Sequence, residues 1–466
     1  MKTSIYIKIK RYSFLLFFAA TTFSSCEKFL EVTPKGKFIP KFIQDYEELS
    51  SNPSYSSNSN AMLERLSDNI FLRDDRIKTS LTQATTKAYQ WMPEFYLSTE
   101  TDSGWDPMYN NIFNANIIIE NVTKLDDGTE KQRKEVLGDA YFNRAYAYWC
   151  LVNLYAKDYN AGKADTDLGV PLITVADLEA KPTRATVAAV YELILQDLLK
   201  AKDQLPDEAK NVYRNDKTAA FALLARVYQS MDNFPGAKKY ANMALALKST
   251  LLDYNTLKFK DPLKPLAGIN GKPLNHQHPE MISLKTTGFA NILRDHSISP
   301  EFLNLLGTKD LRYVFGFTTL DRNGKPNPDI YPLYIPSDLN FNIGVPEMML
   351  ISAESEARAG QIAPALKLLN DLRKKRFTED DYADLTASTS DEALKLVIEE
   401  RRRELFGKGL RWFDMRRLDS DSRFRRTYTR DNTAASYKLE VGSNIFVQQI
   451  PGNVMKINPG ILPNPR

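Results

Sequence analysis

Apolar residues recur at helical spacing over long tracts of this chain. Trp105, Tyr109, Ile112, Asn116 and Ile119 step by three or four, and so do Leu137, Tyr141, Ala145, Tyr148, Val152 and Tyr155. Each set falls on one face of a helix. Val187, Val190, Ile194, Leu198 and Ala201 make a third stripe, closed by Leu205-Pro206. Phe221, Leu224, Ala225 and Tyr228 make a fourth, and after Asp232-Asn233-Phe234-Pro235-Gly236 a partner helix carries Ala237, Ala241 and Ala244. The pattern predicts helices paired by short turns.

One fixed offset superposes two of these pairs: Ala225 falls on Ala353, Asp232 on Gly360, Phe234 on Ile362 and Ala237 on Ala365. Small residues let two helices approach, and an apolar residue locks the turn, as in tetratricopeptide units. Tyr228 meets Glu356 and Leu224 meets Ser352, so the repeats are divergent. Generic antiparallel helix packing gives the same small-residue pattern. Between about residues 251 and 346 the helical rhythm fails. Pro and Gly punctuate 261–272, and Gly324, Pro326, Pro328, Pro332 and Pro336 crowd 323–336. A long irregular insertion in a helical scaffold is expected to shape a binding face. The stretch 69–103 is similarly irregular and rich in Trp, Tyr, Asp and Thr.

The chain has 466 residues, 43% apolar and 26% charged, so the bulk of it folds around a core. Its net charge of +4 comes from Lys2, Lys8, Lys10 and Arg11; without them acids and bases balance. The body therefore lacks the positive charge that would steer it to nucleic acid. Those four cations precede the apolar run 14–20 and the small residues Ser24-Ser25 before Cys26, the order of a signal peptide over residues 1–25. The apolar run is too short to span a bilayer. Phe23-Ser24-Ser25-Cys26 resembles a bacterial lipobox, which makes Cys26 the acylated first residue of the mature protein. An ordinary secreted protein with a chance cysteine is the alternative. Cys150 then has no partner and is expected to pack as a small hydrophobe. Residues 27–40 read as a tether.

Catalytic signatures are thin. The sequence holds no phosphate loop, G-x-G-x-x-G fingerprint, G-x-S-x-G elbow or H-E-x-x-H helix. His276 and His278 lack a third ligand beyond Glu280 or Asp295, so no metal and no cofactor is expected. Asp74-Asp75 and Asp126-Asp127 are adjacent pairs and do not supply the separated carboxyls of a glycosidase; Asp126-Asp127-Gly128 reads as a turn. Aromatics make up 11% of the chain. Exposed rings stack on sugars and grip peptide side chains, with polar neighbours supplying hydrogen bonds. Trp91, Phe95, Tyr96, Tyr331 and Tyr334 lie in irregular segments and are candidate platform residues, with Asp68 and Asp74 as candidate acceptors.

Several segments in one order resemble the SusD/RagB family of surface nutrient-binding lipoproteins. Cys26-Glu27-Lys28-Phe29-Leu30 is similar to its mature N-terminus, and residues 105–119 to its first long helix. Arg144-Ala145-Tyr146-Ala147-Tyr148, Gly169-Val170-Pro171-Leu172-Ile173, Arg184, Asp197-Leu198 and residues 220–228 continue the series. The most specific piece is Glu400-Arg401-Arg402-Arg403-Glu404-Leu405 followed by Gly409-Leu410-Arg411-Trp412-Phe413-Asp414-Met415-Arg416-Arg417, where Trp412 and Phe413 can pack while Asp414 pairs with an arginine. Membership implies a mostly α fold with tetratricopeptide-like repeats and a loop-built ligand face, as a single domain over 26–466. It also implies a non-enzymatic lipoprotein of the outer membrane, facing the exterior, that captures oligosaccharide for a SusC-like TonB-dependent transporter. The rivals are peptide capture of the RagB type, a structural envelope scaffold and a surface hydrolase.

Overall fold

The computed structural model describes residues 40–466, apart from 57–61, 73, 75–76, 78–82, 97–101, 103, 274–276, 286–296, 333–340 and 433–434. The signal peptide, Cys26 and Tyr334 lie outside the described residues. Nine helices carry the scaffold: α1 (Asp106–Asn121), α2 (Glu130–Tyr155), α3 (Val187–Gln204), α4 (Lys217–Ser230), α5 (Phe234–Leu247), α6 (Val345–Arg358), α7 (Ile362–Arg373), α8 (Ser390–Glu404) and α9 (Arg411–Leu418). Helices α1 to α6 pack each against the next, and α7 and α8 both pack on α6. Short helices and six two-stranded antiparallel pairings complete the described residues. The fold is mostly α.

Local chemistry sets the helix ends. Thr129 caps α2: its hydroxyl accepts from the Gln132 N–H at 3.1 Å, while the Gln132 side chain accepts from the Thr129 N–H at 2.9 Å. The preceding Asp126-Asp127-Gly128 is the expected turn, with Gly128 at φ 75° and Asp127 accepting from the Ile43 N–H. The single stripe expected along α2 is a correction. Every residue from Glu135 to Tyr155 is buried except Tyr141, itself a stripe residue. Helices α1 and α3 enclose α2 together with the C-terminal segment, so Phe142, Ala147 and Leu151 are as covered as Tyr148. Cys150 packs in this core, and burial pushes its thiol up to about 12.

The two superposed hairpins share their turn. Asp232 and Gly360 both adopt left-handed conformations, at φ 55° and 77°. The Asn233 N–H donates to Tyr228 O and the Gln361 N–H to Glu356 O, each at 2.9 Å, the same hydrogen bond in both turns. Ala225, Ala237, Ala353 and Ala365 are all fully buried between the paired helices.

Buried ion pairs stitch the helices together. Arg144 on α2 donates twice to Asp197 on α3, both at 2.8 Å, and once to Asn116 on α1. Arg226 on α4 grips Glu347 on α6 at 2.6 and 2.7 Å. Glu354 accepts from Gln229, Arg358 and Arg417. Burial alone would raise its pKa, but Arg417 and Arg358 outweigh that and hold it at about 2. The clasp expected around Trp412 is present: the indole is fully buried, and Asp414 accepts from Arg401 and Arg417 at 2.8 to 3.0 Å.

The insertion is more ordered than its Pro and Gly content suggested. It holds helices Pro300–Leu306 and Leu311–Gly316 and several short strands, and α6 already begins at Val345. Ile70 pairs with Ile298 across a two-stranded ladder, and Phe302, Phe317, Phe341 and Phe406 build a separate small core beneath it.

Candidate functional site

The sequence candidates divide by burial. Asp68 sits among arginines: Arg411 donates to both of its oxygens at 2.7 Å, and Arg426 and Arg402 reach it at 2.8 and 3.2 Å. Burial would raise this carboxyl, but the guanidiniums outweigh burial and hold it well below the usual carboxylate range. Trp91 is 2% exposed. Its Nε1 donates to Leu66 O at 2.9 Å, and the Arg430 guanidinium lies 4.1 Å above its ring and 4.3 Å from that of Tyr89. Arg430 also donates to the Arg65, Ser67 and Tyr89 carbonyls. Asp68 and Trp91 thus latch residues 62–91 to residues 402–430, and the Trp91 ring is packed rather than presented. Asp74 is half-buried in a helical turn. Tyr331 lies on the strand Pro326–Pro332, paired with Thr318.

Tyr96 has a different setting. It is half-buried and lines a cleft of about 240 Å³ bounded by residues 93–96 and Asp102 on one side and by residues 448–452 and Met455 on the other. Phe95 stands beside it, ring centroids 5.1 Å apart, and Pro93, Pro451 and Met455 extend the apolar wall. Four polar residues that sequence reasoning did not name line the same space, Glu94, Asp102, Gln448 and Gln449. Asp102 is positioned by the turn into α1: its Oδ1 accepts from the Gly104 N–H at 2.8 Å, and the Tyr155 hydroxyl lies beside it. Burial pushes its carboxyl up to about 6. Gln448 is held by its backbone, whose N–H donates to Leu154 O at 2.8 Å at the end of α2. Asp102 carried a weak signal, an acid in an aromatic-rich irregular stretch; Gln448 carried none. The arrangement offers an aromatic face, an acceptor and an amide, which suits a polyhydroxylated ligand. Among the described residues no cluster of His, Cys, Asp and Glu is arranged to hold a metal ion.

Two family models match in chain order. Residues 28–229 match a family described as starch-binding, associating with the outer membrane, and residues 345–465 match the SusD family. The chain belongs to the SusD/RagB family. This is a family of glycan-binding proteins associated with the outer membrane. SusD-like proteins P38 and P2 of Formosa agariphila are 23% and 25% identical to this chain over 87% and 88% of its length, and over 91% of their own. A solved SusD superfamily protein of Bacteroides thetaiotaomicron has the same fold, with a TM-score of 0.74 at 20% identity, covering 91% of this chain and all of that one. A solved laminarin-binding SusD-like protein superposes with a TM-score of 0.65 at 18% identity, over 91% of this chain and all of the other. The family's helical scaffold explains why Arg144, Asp197 and Asp414, named for the resemblance, all serve ion pairs inside the fold.

Proposed function

We propose that this SusD/RagB protein captures an oligosaccharide at the cell surface and passes it to a SusC-like TonB-dependent transporter, without chemical change to the ligand. The observation that carries the reading is the match of residues 28–229 to a family model described as starch-binding and associating with the outer membrane, with residues 345–465 matching the SusD family. The laminarin-binding neighbour and the aromatic-walled cleft at Tyr96 support a saccharide as the ligand. Acylated Cys26 is the anchor in this account, and residues 27–40 are the tether. No helix among the described residues is long and apolar enough to cross a membrane.

The test has two parts. Calorimetric titration of the mature chain with laminari-, cello-, malto-, xylo- and mannohexaose is expected to give saturable binding to at least one, with the sugar recovered intact. Solubilising native membranes and purifying the tagged protein is expected to bring a TonB-dependent barrel with it, and mass spectrometry is expected to find diacylglycerol on Cys26. Binding to peptides with no saccharide bound would favour RagB-type uptake; shortened sugar products would show a hydrolase.

A further inference from the structure

We propose that the paired turns at residues 261–264 and 321–325 form a contact surface for a phosphate-bearing lipid bilayer, with Leu263 entering the headgroup layer and Lys258, Lys260, Lys264, Arg322 and Lys325 set around it for the phosphates. The fold brings the two turns together. Asp261 starts the first: its Oδ1 accepts from the Leu263 N–H at 3.0 Å, and the Lys264 N–H donates to Asp261 O at the same distance. Asp321 builds the second, where its Oδ1 accepts from the Asn323 and Lys325 N–H groups, both at 2.8 Å. Gly324 sits in that turn at φ 80°, and a Cβ there would stand 2.5 Å from Leu263 O and 3.4 Å from Lys264 Cγ. The turns are thus in contact, and glycine permits it. The strand Lys258–Phe259 leads into the first turn and pairs with Ile269–Asn270. Phe259 packs its ring on Phe315, centroids 5.2 Å apart, while Lys258 and Lys260 on either side of it stay exposed.

Charge is the first support. Residues 257–270 and 318–326 hold five cations against two acids, Asp261 and Asp321. All five cations are exposed, and none makes an ion pair among the described residues. Both acids spend an oxygen on their own turn, and nearby Asp253 and Asp381 are taken by Lys375 and Lys309 at 2.8 and 2.7 Å. The chain beyond its first 25 residues is balanced in charge, so this excess acts locally, within a screening length of about 8 Å. Leu263 is the second support. It is 77% exposed, stands between Pro262 and Lys264, and has the cations around it. An acidic polypeptide would pair the lysines and leave this side chain in water. A bilayer accepts both, because the leucine enters below the headgroups while long lysine stems hold their ammonium groups at the phosphates. The anchored chain of the functional reading keeps such a surface within the roughly 45–50 Å that residues 27–40 reach when extended.

The experiment uses the mature chain with Cys26→Ser, so that no acyl group contributes, and vesicle flotation. One set of vesicles is phosphatidylcholine alone; the other carries about one-third phosphatidylglycerol. The chain is expected to float with the anionic vesicles, to stay behind with the neutral ones, and to be released as salt is raised. Lys260→Glu, Lys264→Glu and Lys325→Glu combined are expected to weaken binding about tenfold or more, because each cation near an anionic bilayer contributes several-fold in affinity. Leu263→Asn, which keeps every charge, is expected to weaken it by a smaller factor. All four positions are exposed, so both variants are expected to keep the parent melting temperature. Absence of binding to anionic vesicles, or equal binding by parent and triple variant, overturns the surface. Binding to soluble polyglutamate with none to vesicles overturns the lipid class in favour of an acidic polypeptide. Saccharide titration of the same preparations reads the functional proposal separately, so either can fail alone.

Discussion

The Arg411 guanidinium closes on the Asp68 carboxylate through two parallel hydrogen bonds of 2.7 Å, joining residues 343 positions apart. Arg402 and Arg426 share the same carboxylate. Removing the acid leaves three guanidiniums without their common partner. Breaking a buried pair from one side costs about 3–5 kcal/mol. We expect Asp68→Ala to lower unfolding free energy by that order in urea titration. Asp68→Ala combined with Arg411→Met is expected to cost less than the two single changes summed.

Trp91 and Tyr96 are five residues apart and are expected to behave differently. Trp91→Ala removes a buried ring that covers Arg430 and donates to Leu66 O, so a loss of about 3–5 kcal/mol is expected. Tyr96→Ala trims a half-buried ring at the cleft and is expected to leave the melting temperature nearly unchanged while weakening saccharide binding. Thermal melting and calorimetry on the same preparations separate the two effects.

Glu64 gives a pH dependence of definite sign. Its side chain is fully buried, and burial, partly offset by the Gly409 N–H it accepts, pushes its pKa from 4.5 up to about 7. The folded state therefore holds a proton that the unfolded chain releases between these values. The stability this group contributes is complete below about pH 4.5 and is lost as pH rises through 7. The loss is on the order of 3 kcal/mol. Glu64→Gln keeps an acceptor for Gly409, and we expect it to be more stable than wild type at pH 8 and to flatten the decline between pH 5 and 8 in denaturant titrations.

The shared hairpin turn makes a smaller prediction. Gly360 adopts φ 77° with open space where a Cβ would stand. Gly360→Ala meets backbone strain alone, and an expected loss of roughly 1–2 kcal/mol follows from the left-handed conformation. Differential scanning calorimetry reads it as a lower melting temperature.

Legibility in the sequence followed the range of the interactions. The helices from Asp106 to Leu247 were legible because apolar period and capping act over a few residues, and the Asp232 and Gly360 turns repeat one local hydrogen-bond pattern. The burial of Phe142 and Leu151 was not legible, because a helix enclosed on all sides has no polar face to give it away. Asp68 and Trp91 looked like surface chemistry because their partners, Arg411 and Arg430, lie hundreds of residues further on. The place of Gln448 beside the cleft was not legible for the same reason. Tyr96 could be named because an aromatic in an irregular stretch is a signal that needs no distant partner to be read, and the structure places it on the wall of a cleft.

Oligosaccharide uptake in the source bacterium tests the account most directly. Cells lacking this chain, but otherwise unaltered, are followed with a fluorescent form of the hexaose that the purified protein binds. The account predicts that accumulation falls sharply and returns when the wild-type chain is restored. Accumulation equal to that of the parent strain at limiting hexaose would contradict it.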